Sequence, residues 1–302
     1  MFLNSRTESK ELLKFRSLNA RSTLSTKEKK HYLHLEKGYQ GEVMFDQLTA
    51  KLENDLYILN GLYLEYNNAA CQIDSLIISE ETIYPFEIKN FEGDYLYELE
   101  RFYFLPAKEE IKNPLDQLKR SNSLLRPLLK KQGINLPVEG SVTFVNPGFT
   151  LYQAPLNEPI ISPTQLHQLM KKLNKTSSKL NGRHKKLADQ LLAMHLVESP
   201  YAWKPIYTYG KLKKGILCPR CYSFMISIGD KKLVCSKCGC EESVDSGVLR
   251  SVKEHKLLFP DLKITTIGVH EWCRVVGSTK VVRRILFENF TASGYGRWFY
   301  FE

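Results

Sequence analysis

The chain has 302 residues, of which 43% are hydrophobic, and a formal net charge of +10, so it is long enough for two domains and can build a real core. No stretch approaches the roughly 18 to 20 uninterrupted apolar residues of a membrane span, and the polar first thirty residues do not read as a signal peptide; these features argue against a membrane protein and set a cytoplasmic one as the expectation. Residues 199–302 carry 17 Lys and Arg against 9 Asp and Glu, a net +8, leaving +2 for the first 198, and a basic last third suits a polyanion, most simply nucleic acid.

In chain order, helical spacing over residues 8–19 and 25–52 predicts two helices, the second broken or closely approached at Gly38 and Gly41. Glu42 follows that glycine, where a first-turn acid also suits the helix dipole. Residues 55–60 and 62–66 read as a hairpin around Asn60-Gly61, a strong turn signal. Two β-rich runs follow, 71–79 and 82–90, with Glu80-Glu81 as the turn between neighbouring strands. Side chains repeat every two residues along a strand, so Glu87 and Lys89 share a face while Ile88 points into apolar packing, and Asp74 on the first strand can meet them. Unpaired buried charge costs several kcal/mol, so these three groups pair or bind something.

Residues 93–105 predict one or two further strands. Asn113-Pro114 opens a helix with Pro near its first position, carrying Gln117 and Arg120 in its early turns. Strands are predicted over 138–145 and 149–153, a helix from Ser162-Pro163 to residue 173, and another over 184–197. The period then fails, and a boundary is placed at Ser199. This divides the chain into a domain over 1–198 with an N-terminal helical extension, a linker and ribbon over 199–247, and a tail over 248–302.

In the second part, Cys218-Pro219-Arg220-Cys221 and Cys235-Ser236-Lys237-Cys238 are two CxxC pairs with thirteen residues between them. Four such thiolates form a closed tetrahedral site for a structural Zn²⁺, with a hairpin over 223–234. Cys240 is the alternative to Cys238, and the symmetric spacing favours Cys238. A helical connector over 248–259 leads to a short helix (268–275), a turn at Gly277-Ser278, a longer helix (279–289) and a hairpin strand (294–301). This order resembles a small winged helix. Lys280, Arg283 and Arg284 fall on the second helix and Arg297 on the wing, where such a module meets a duplex; the alternative is a solvated basic face.

Two carboxylates such as Asp74 and Glu87 can hold Mg²⁺ or Mn²⁺, which lowers the pKa of a bound water and steadies charge on a phosphodiester. Glu42 can complete the shell from the helix side. Lys89 can orient the attacking water and stabilise the transition state, and burial and nearby positive charge are expected to lower its pKa. Gln117, able to donate and accept, can hold the lysine or a water.

With Gly41-Glu42, Gln72-Ile73-Asp74, Glu87-Ile88-Lys89-Asn90 and Gly93, residues 38–90 resemble the NERD domain, the nuclease-related domain of the PD-(D/E)xK superfamily. The likeness extends through Asn113-Pro114-Leu115-Asp116-Gln117 to about residue 145. It implies an α/β fold with a central mixed sheet flanked by helices, as in restriction endonucleases. It also implies a metal-dependent phosphodiesterase site in which Glu42, Asp74 and Glu87 surround the metal, Lys89 is the catalytic lysine and Gln117 supports it. Ser121 stands where exonuclease-like relatives often carry a tyrosine. The whole reads as a Mg²⁺-dependent deoxyribonuclease whose zinc-bearing basic tail recruits DNA. Two alternatives are a non-catalytic nucleic-acid-binding protein on a nuclease scaffold and a tail that binds a protein partner.

Overall fold

Helix α1 (Lys10–Arg21) starts at Ser9, whose hydroxyl accepts a hydrogen bond from the Leu12 N–H at 3.1 Å, satisfying one of the orphan donors of a helix start. Helix α2 (Thr26–Thr49) runs unbroken through Gly38 and Gly41. Gly41 serves a close approach, because a Cβ there would stand 2.6 Å from that of Asn90. The structure is a computed structural model that describes residues 1–196, 198, 202–229 and 231–302. The boundary expected at Ser199 and the end of the helix expected at Val197 lie outside the described residues.

Strand β1 (Tyr57–Tyr66) pairs antiparallel with β2 (Ala69–Ile78). The turn between them is Asn67-Asn68, with φ of 50° and 60°, and not the expected Asn60-Gly61. Asparagine tolerates the left-handed conformation that a tight hairpin requires, whereas Asn60-Gly61 lies inside a strand whose Ile58, Leu59, Leu62 and Leu64 are all buried. Burial over the whole run overrides the local turn signal. Gly61 keeps a left-handed φ of 61° and faces Asp74 where the ladder is interrupted, between the pairs Asn60–Ser75 and Leu62–Ile73.

The chain continues through β3 (Ile83–Lys89), β4 (Gly93–Glu98), β5 (Arg101–Phe104), β6 (Glu109–Ile111), α3 (Pro114–Lys131), β7 (Ser141–Phe144), β8 (Phe149–Tyr152), β9 (Ile160–Ile161), α4 (Leu166–Lys175) and α5 (Gly182–Ala193). A central sheet of five strands has the order β1-β2-β3-β7-β9, antiparallel as far as β3 and parallel from β3 to β9. A second sheet has the order β6-β5-β4-β8. This is a mixed α/β architecture. One face of the central sheet packs Leu76, Ile78 and Ile83 against Leu125, Leu128 and Leu129 of α3 and Leu187 and Leu191 of α5. The opposite face packs Ile77, Phe86 and Ile88 against Phe45 of α2 and Leu173 of α4. Alternation along β3 therefore turns Glu87 and Lys89 toward the α3 side.

Contacts divide the chain into two compact units, Met1–Glu8 with His34–Tyr201, and Ser9–Leu33 with Ala202–Glu302. Helix α1, read from sequence as an extension of the first domain, thus packs within the second unit. Its Leu18 joins Leu212, Leu258 and Trp272 in one apolar cluster. Arg21, with no exposed surface, donates to both carboxylate oxygens of Glu254 (2.8 and 2.7 Å) and to the carbonyls of Lys213 (2.7 Å) and Gly215 (2.9 Å), and lies 4.0 Å from the ring centre of Trp272.

The second unit contains an antiparallel sheet of β10 (Ile226–Ile228), β11 (Lys232–Val234) and β12 (Glu241–Ser243), followed by α6 (Val244–Leu258), α7 (Thr266–Cys273), α8 (Thr279–Asn289), β13 (Ala292–Ser293) and β14 (Tyr300–Phe301). Ile264, between α6 and α7, bridges antiparallel to Phe301, so the order from α6 onward is helix, strand, helix, helix, hairpin. The residues expected to form a separate ribbon and tail share one core, running from Ile216, Met225 and Leu233 through Val248 and Val252 to Val282, Ile285 and Phe301. The reason is local: α6 leaves β12 without a linker, capped by Ser243.

Candidate functional sites

Asp74 and Glu87 are buried, 7% and 5% exposed, on adjacent antiparallel strands. Lys89 donates from Nζ to Glu87 Oε1 at 2.6 Å. Asp74 accepts from the Ile88 N–H at 2.8 Å through Oδ2 and from Gln72 Nε2 at 3.1 Å through Oδ1, so backbone and side chain together orient it. Burial, and then the charge of Asp74, push Glu87 up to about 7 against the opposing pull of Lys89 and Lys112. For Lys89, burial favours the neutral amine, but Glu87 and Asp74 outweigh it and the pKa rises. That is opposite to the lowering expected from sequence, because the lysine's near neighbours are acids and not cations.

Glu42 belongs to the same electrostatic cluster but has its own partner, Arg6, which the sequence reading missed. The Arg6 side chain is 5% exposed. It donates from Nη1 to Glu42, from Nε and Nη2 to the two oxygens of Asp46 at 2.7 and 2.9 Å, and from Nη2 to the backbone carbonyl of Asp74 at 2.8 Å. That carbonyl lies opposite Gly61, where the ladder is interrupted, so the glycine and the arginine are parts of one device. Burial and Asp74 push Glu42 up to about 8 even with Arg6 opposing. Gln117 is half-buried in the first turn of α3, and among the described residues its side chain makes no hydrogen bond. Ser121 is buried and donates to the Leu118 carbonyl at 3.0 Å.

The chemistry of this donor set fits a hard, oxygen-seeking divalent cation. Three carboxylates come from α2, β2 and β3, two of them are driven toward protonation by burial and mutual repulsion, and a lysine stands beside them. Added positive charge would relieve that repulsion.

Among the described residues, the group of three or more potential ligands whose donor atoms all lie within 4.8 Å of one another is Cys218, Cys221, Cys235 and Cys238. Glu42, Asp74 and Glu87 stand further apart than that. Cys218 and Cys238 have sulfurs 3.6 Å apart, and Cys221 and Cys235 3.4 Å. A tetrahedron with Zn–S bonds of about 2.3 Å has S–S edges of about 3.8 Å, so the cluster is compatible with zinc, and all four thiols are free of disulfides. Hydrogen bonds from the Ser223 N–H and then its hydroxyl bring Cys221 down to about 6, while Cys238, against the pull of a hydrogen bond from the Cys240 backbone, is pushed up to about 12 by burial and the neighbouring cysteines. Cys240 stands outside the group of four and is half-buried.

In the tail, Lys280 and Arg283 are exposed on α8. Arg284 is tied down, donating to both oxygens of Asp245 (2.8 and 3.0 Å) and to Glu288 (2.7 Å). Arg297 lies in the 3-10 turn Gly296–Trp298, and its side chain lies outside the described residues.

The mixed sheet thus carries two buried acids, Asp74 within β2 and Glu87 within β3, with Lys89 as the last residue of β3. Residues 37–145 match the family model of the nuclease-related domain, NERD. Glu42, Asp74, Glu87, Lys89 and Gln117 lie within it; Arg6 lies outside. No curated protein and no solved structure matches the chain. No helix among the described residues is long and apolar enough to cross a membrane.

Proposed function

We propose that the chain is a divalent-cation-dependent nuclease that hydrolyses phosphodiester bonds in DNA, with Mg²⁺ or Mn²⁺ held by Asp74, Glu87 and Glu42. The carrying observation is the convergence of Asp74 on β2 with Glu87 and Lys89 on β3 within the stretch that matches the nuclease-related domain. When bound, such a cation supplies Lewis-acid polarisation and a water of lowered pKa. The protein does the rest by placement. The Ile88 N–H fixes one oxygen of Asp74, Glu87 fixes the Lys89 ammonium, and Lys89, kept protonated by its acidic neighbours, stabilises negative charge gathering on the phosphate. Gln117, whose side chain makes no hydrogen bond among the described residues, is available to a water or to the substrate. The four cysteines hold a structural zinc, and Lys280, Arg283 and Arg297 contact phosphates, which gives sequence-independent, salt-sensitive binding.

The grip of Arg6 on Glu42 favours one competing reading, a domain in which arginine has taken over charge compensation and nucleic acid is bound but not cut. Incubating the chain with circular and linear DNA and RNA, with Mg²⁺, Mn²⁺ or chelator, decides between them. Divalent-dependent cleavage of circular or linear nucleic acid that disappears in Glu87→Ala and Lys89→Ala supports the nuclease; circular and linear substrates that all stay intact under every condition support the non-cutting reading.

A further inference from the structure

Residues 2–6 run along the outer edge of β1 and deliver a cation to the acid cluster. Phe2 bridges parallel to Ile58, and the Leu3 N–H donates to the Ile58 carbonyl at 3.0 Å. Asn4 extends the pairing with its side chain, accepting from the Asn60 N–H at 2.8 Å and donating to the Asn60 carbonyl at 2.7 Å. Gly61 comes next on β1, and there the segment turns inward. Arg6 Nη1 stands 3.7 Å from the place a Gly61 Cβ would take, and the interrupted ladder leaves the Asp74 carbonyl to Arg6.

The guanidinium is held by the kind of oxygens a hard cation would choose: two carboxylates one turn apart on α2, Glu42 and Asp46, and the main-chain carbonyl of Asp74. Burial favours its neutral form, but Asp46, Glu42 and Asp74 outweigh it and the pKa rises above the ordinary arginine value, so the charge is permanent. Asp74 meets Arg6 through its backbone and keeps its carboxylate at the Ile88 N–H and Gln72. Arg6 can therefore hold this acid without using the oxygens a metal needs. The charges point the same way. Glu42, Asp46, Asp74 and Glu87 are four carboxylates, and Arg6 and Lys89 are the two cations hydrogen-bonded to them among the described residues. One divalent ion makes up the shortfall; with Arg6 gone, one would not.

We propose that Arg6 is a resident second cation of the acid site, a positioning residue that holds Glu42, Asp46 and the Asp74 backbone where another metal ion would otherwise sit and so limits the site to a single divalent ion. This rests on the divalent-cation reading of the domain and deepens it. The site then works with one exchangeable ion and one fixed guanidinium, and the fixed charge comes from outside the stretch that matches the nuclease-related domain.

The test counts ions on the full chain with its cysteine site loaded with zinc. Parent, Arg6→Gln and the charge-balanced pair Arg6→Gln with Asp46→Asn are titrated with Mn²⁺, free Mn²⁺ is followed by electron paramagnetic resonance, and Asp74→Asn with Glu87→Gln sets the background for surface binding. Thermal melts run in parallel. The expected result is about one Mn²⁺ per chain in the parent and about two in Arg6→Gln, whose melting temperature should also rise more with Mn²⁺ than the parent's. Adding Asp46→Asn should return the count to about one. An arginine with a purely structural role would change the melting temperature and leave the ion count as it was. An equal count in parent and Arg6→Gln overturns the proposal, as does a second ion that survives Asp46→Asn, or an Arg6→Gln chain that stays unfolded at every Mn²⁺ concentration. A parent that binds no Mn²⁺ above background overturns the divalent-cation reading itself, and the proposal falls with it.

Discussion

The four cysteines come from two short knuckles in one stretch of chain and bring their sulfurs together within 4.8 Å. The acids of the sheet come from a helix and two strands, stand further apart, and are held by protein cations, Lys89 on Glu87 and Arg6 on Glu42. One centre is assembled by local chain geometry, the other by the packing of the whole first unit. A four-thiolate set leaves no position for exchange, whereas carboxylates with protonation poised near neutrality can trade protons and ions.

The contrast is broken most forcefully by removing the thiolate centre. Structural zinc contributes about 10 kcal/mol or more of apparent binding free energy in small domains, so Cys235→Ser or strong chelation should unfold the second unit. Hydrogen exchange should then show amides of β10, β11 and α6 losing protection while those of β2 and β3 keep it. Next in size, Lys89→Ala should slow nicking by about 10³-fold, equivalent to about 4 kcal/mol of transition-state stabilisation, with the melting temperature within about 3 °C of the parent, because Glu87, already raised to about 7, can take up a proton when it loses its cation. Equal losses of activity and stability would make the lysine a structural partner only.

The third test concerns Arg6. Breaking one side of a buried ion pair costs about 3 kcal/mol, so Arg6→Ala should lower the melting temperature. It should also free Glu42, so that added Mg²⁺ stabilises the variant more than the parent; an equal Mg²⁺ response in both would separate Arg6 from the acid site. The smallest effect involves His255, whose pKa is lowered first by burial, then by Lys214 and Arg21, with Glu254 opposing. A histidine with a folded pKa below its unfolded value of about 6.5 contributes stability above that pH which is lost as the unfolded state takes up a proton. Thermal melts from about pH 7.5 down to 5.5 should therefore show a smaller decline in His255→Phe than in the parent.

How far these features could be read from the sequence follows from how local they are. The CxxC pairs, the Asn113 cap with Pro114 behind it, and the shared face of Glu87 and Lys89 rest on neighbours a few positions apart, and the structure contains each. Asn60-Gly61 misled because burial along the whole strand outweighs a two-residue signal. Arg6 was illegible because it reaches Glu42, Asp46 and Asp74 by folding back over 36 to 68 residues, a distance for which no spacing rule exists. Helix α1 announces an apolar face but not what covers it, so its place with the tail could not be foreseen. Arg284 looks free on a helical wheel and is bound in space, since Asp245 is 39 residues away.

The docking of α1 has a consequence for synthesis. Arg21 and its partner Glu254 are separated by 233 residues, and a ribosome adding about 5 to 20 residues per second makes the first long before the second. For roughly ten to fifty seconds the nascent chain carries an amphipathic helix with Phe15, Leu18 and an arginine whose acceptors do not yet exist. The sheet unit can fold in that interval, while α1 must wait for Glu254, Leu258 and Trp272 before it can dock. Residues 9–33 are therefore the segment most in need of protection during translation. A tail expressed from residue 202 onward would lack them, leaving Trp272 and Glu254 without their cation.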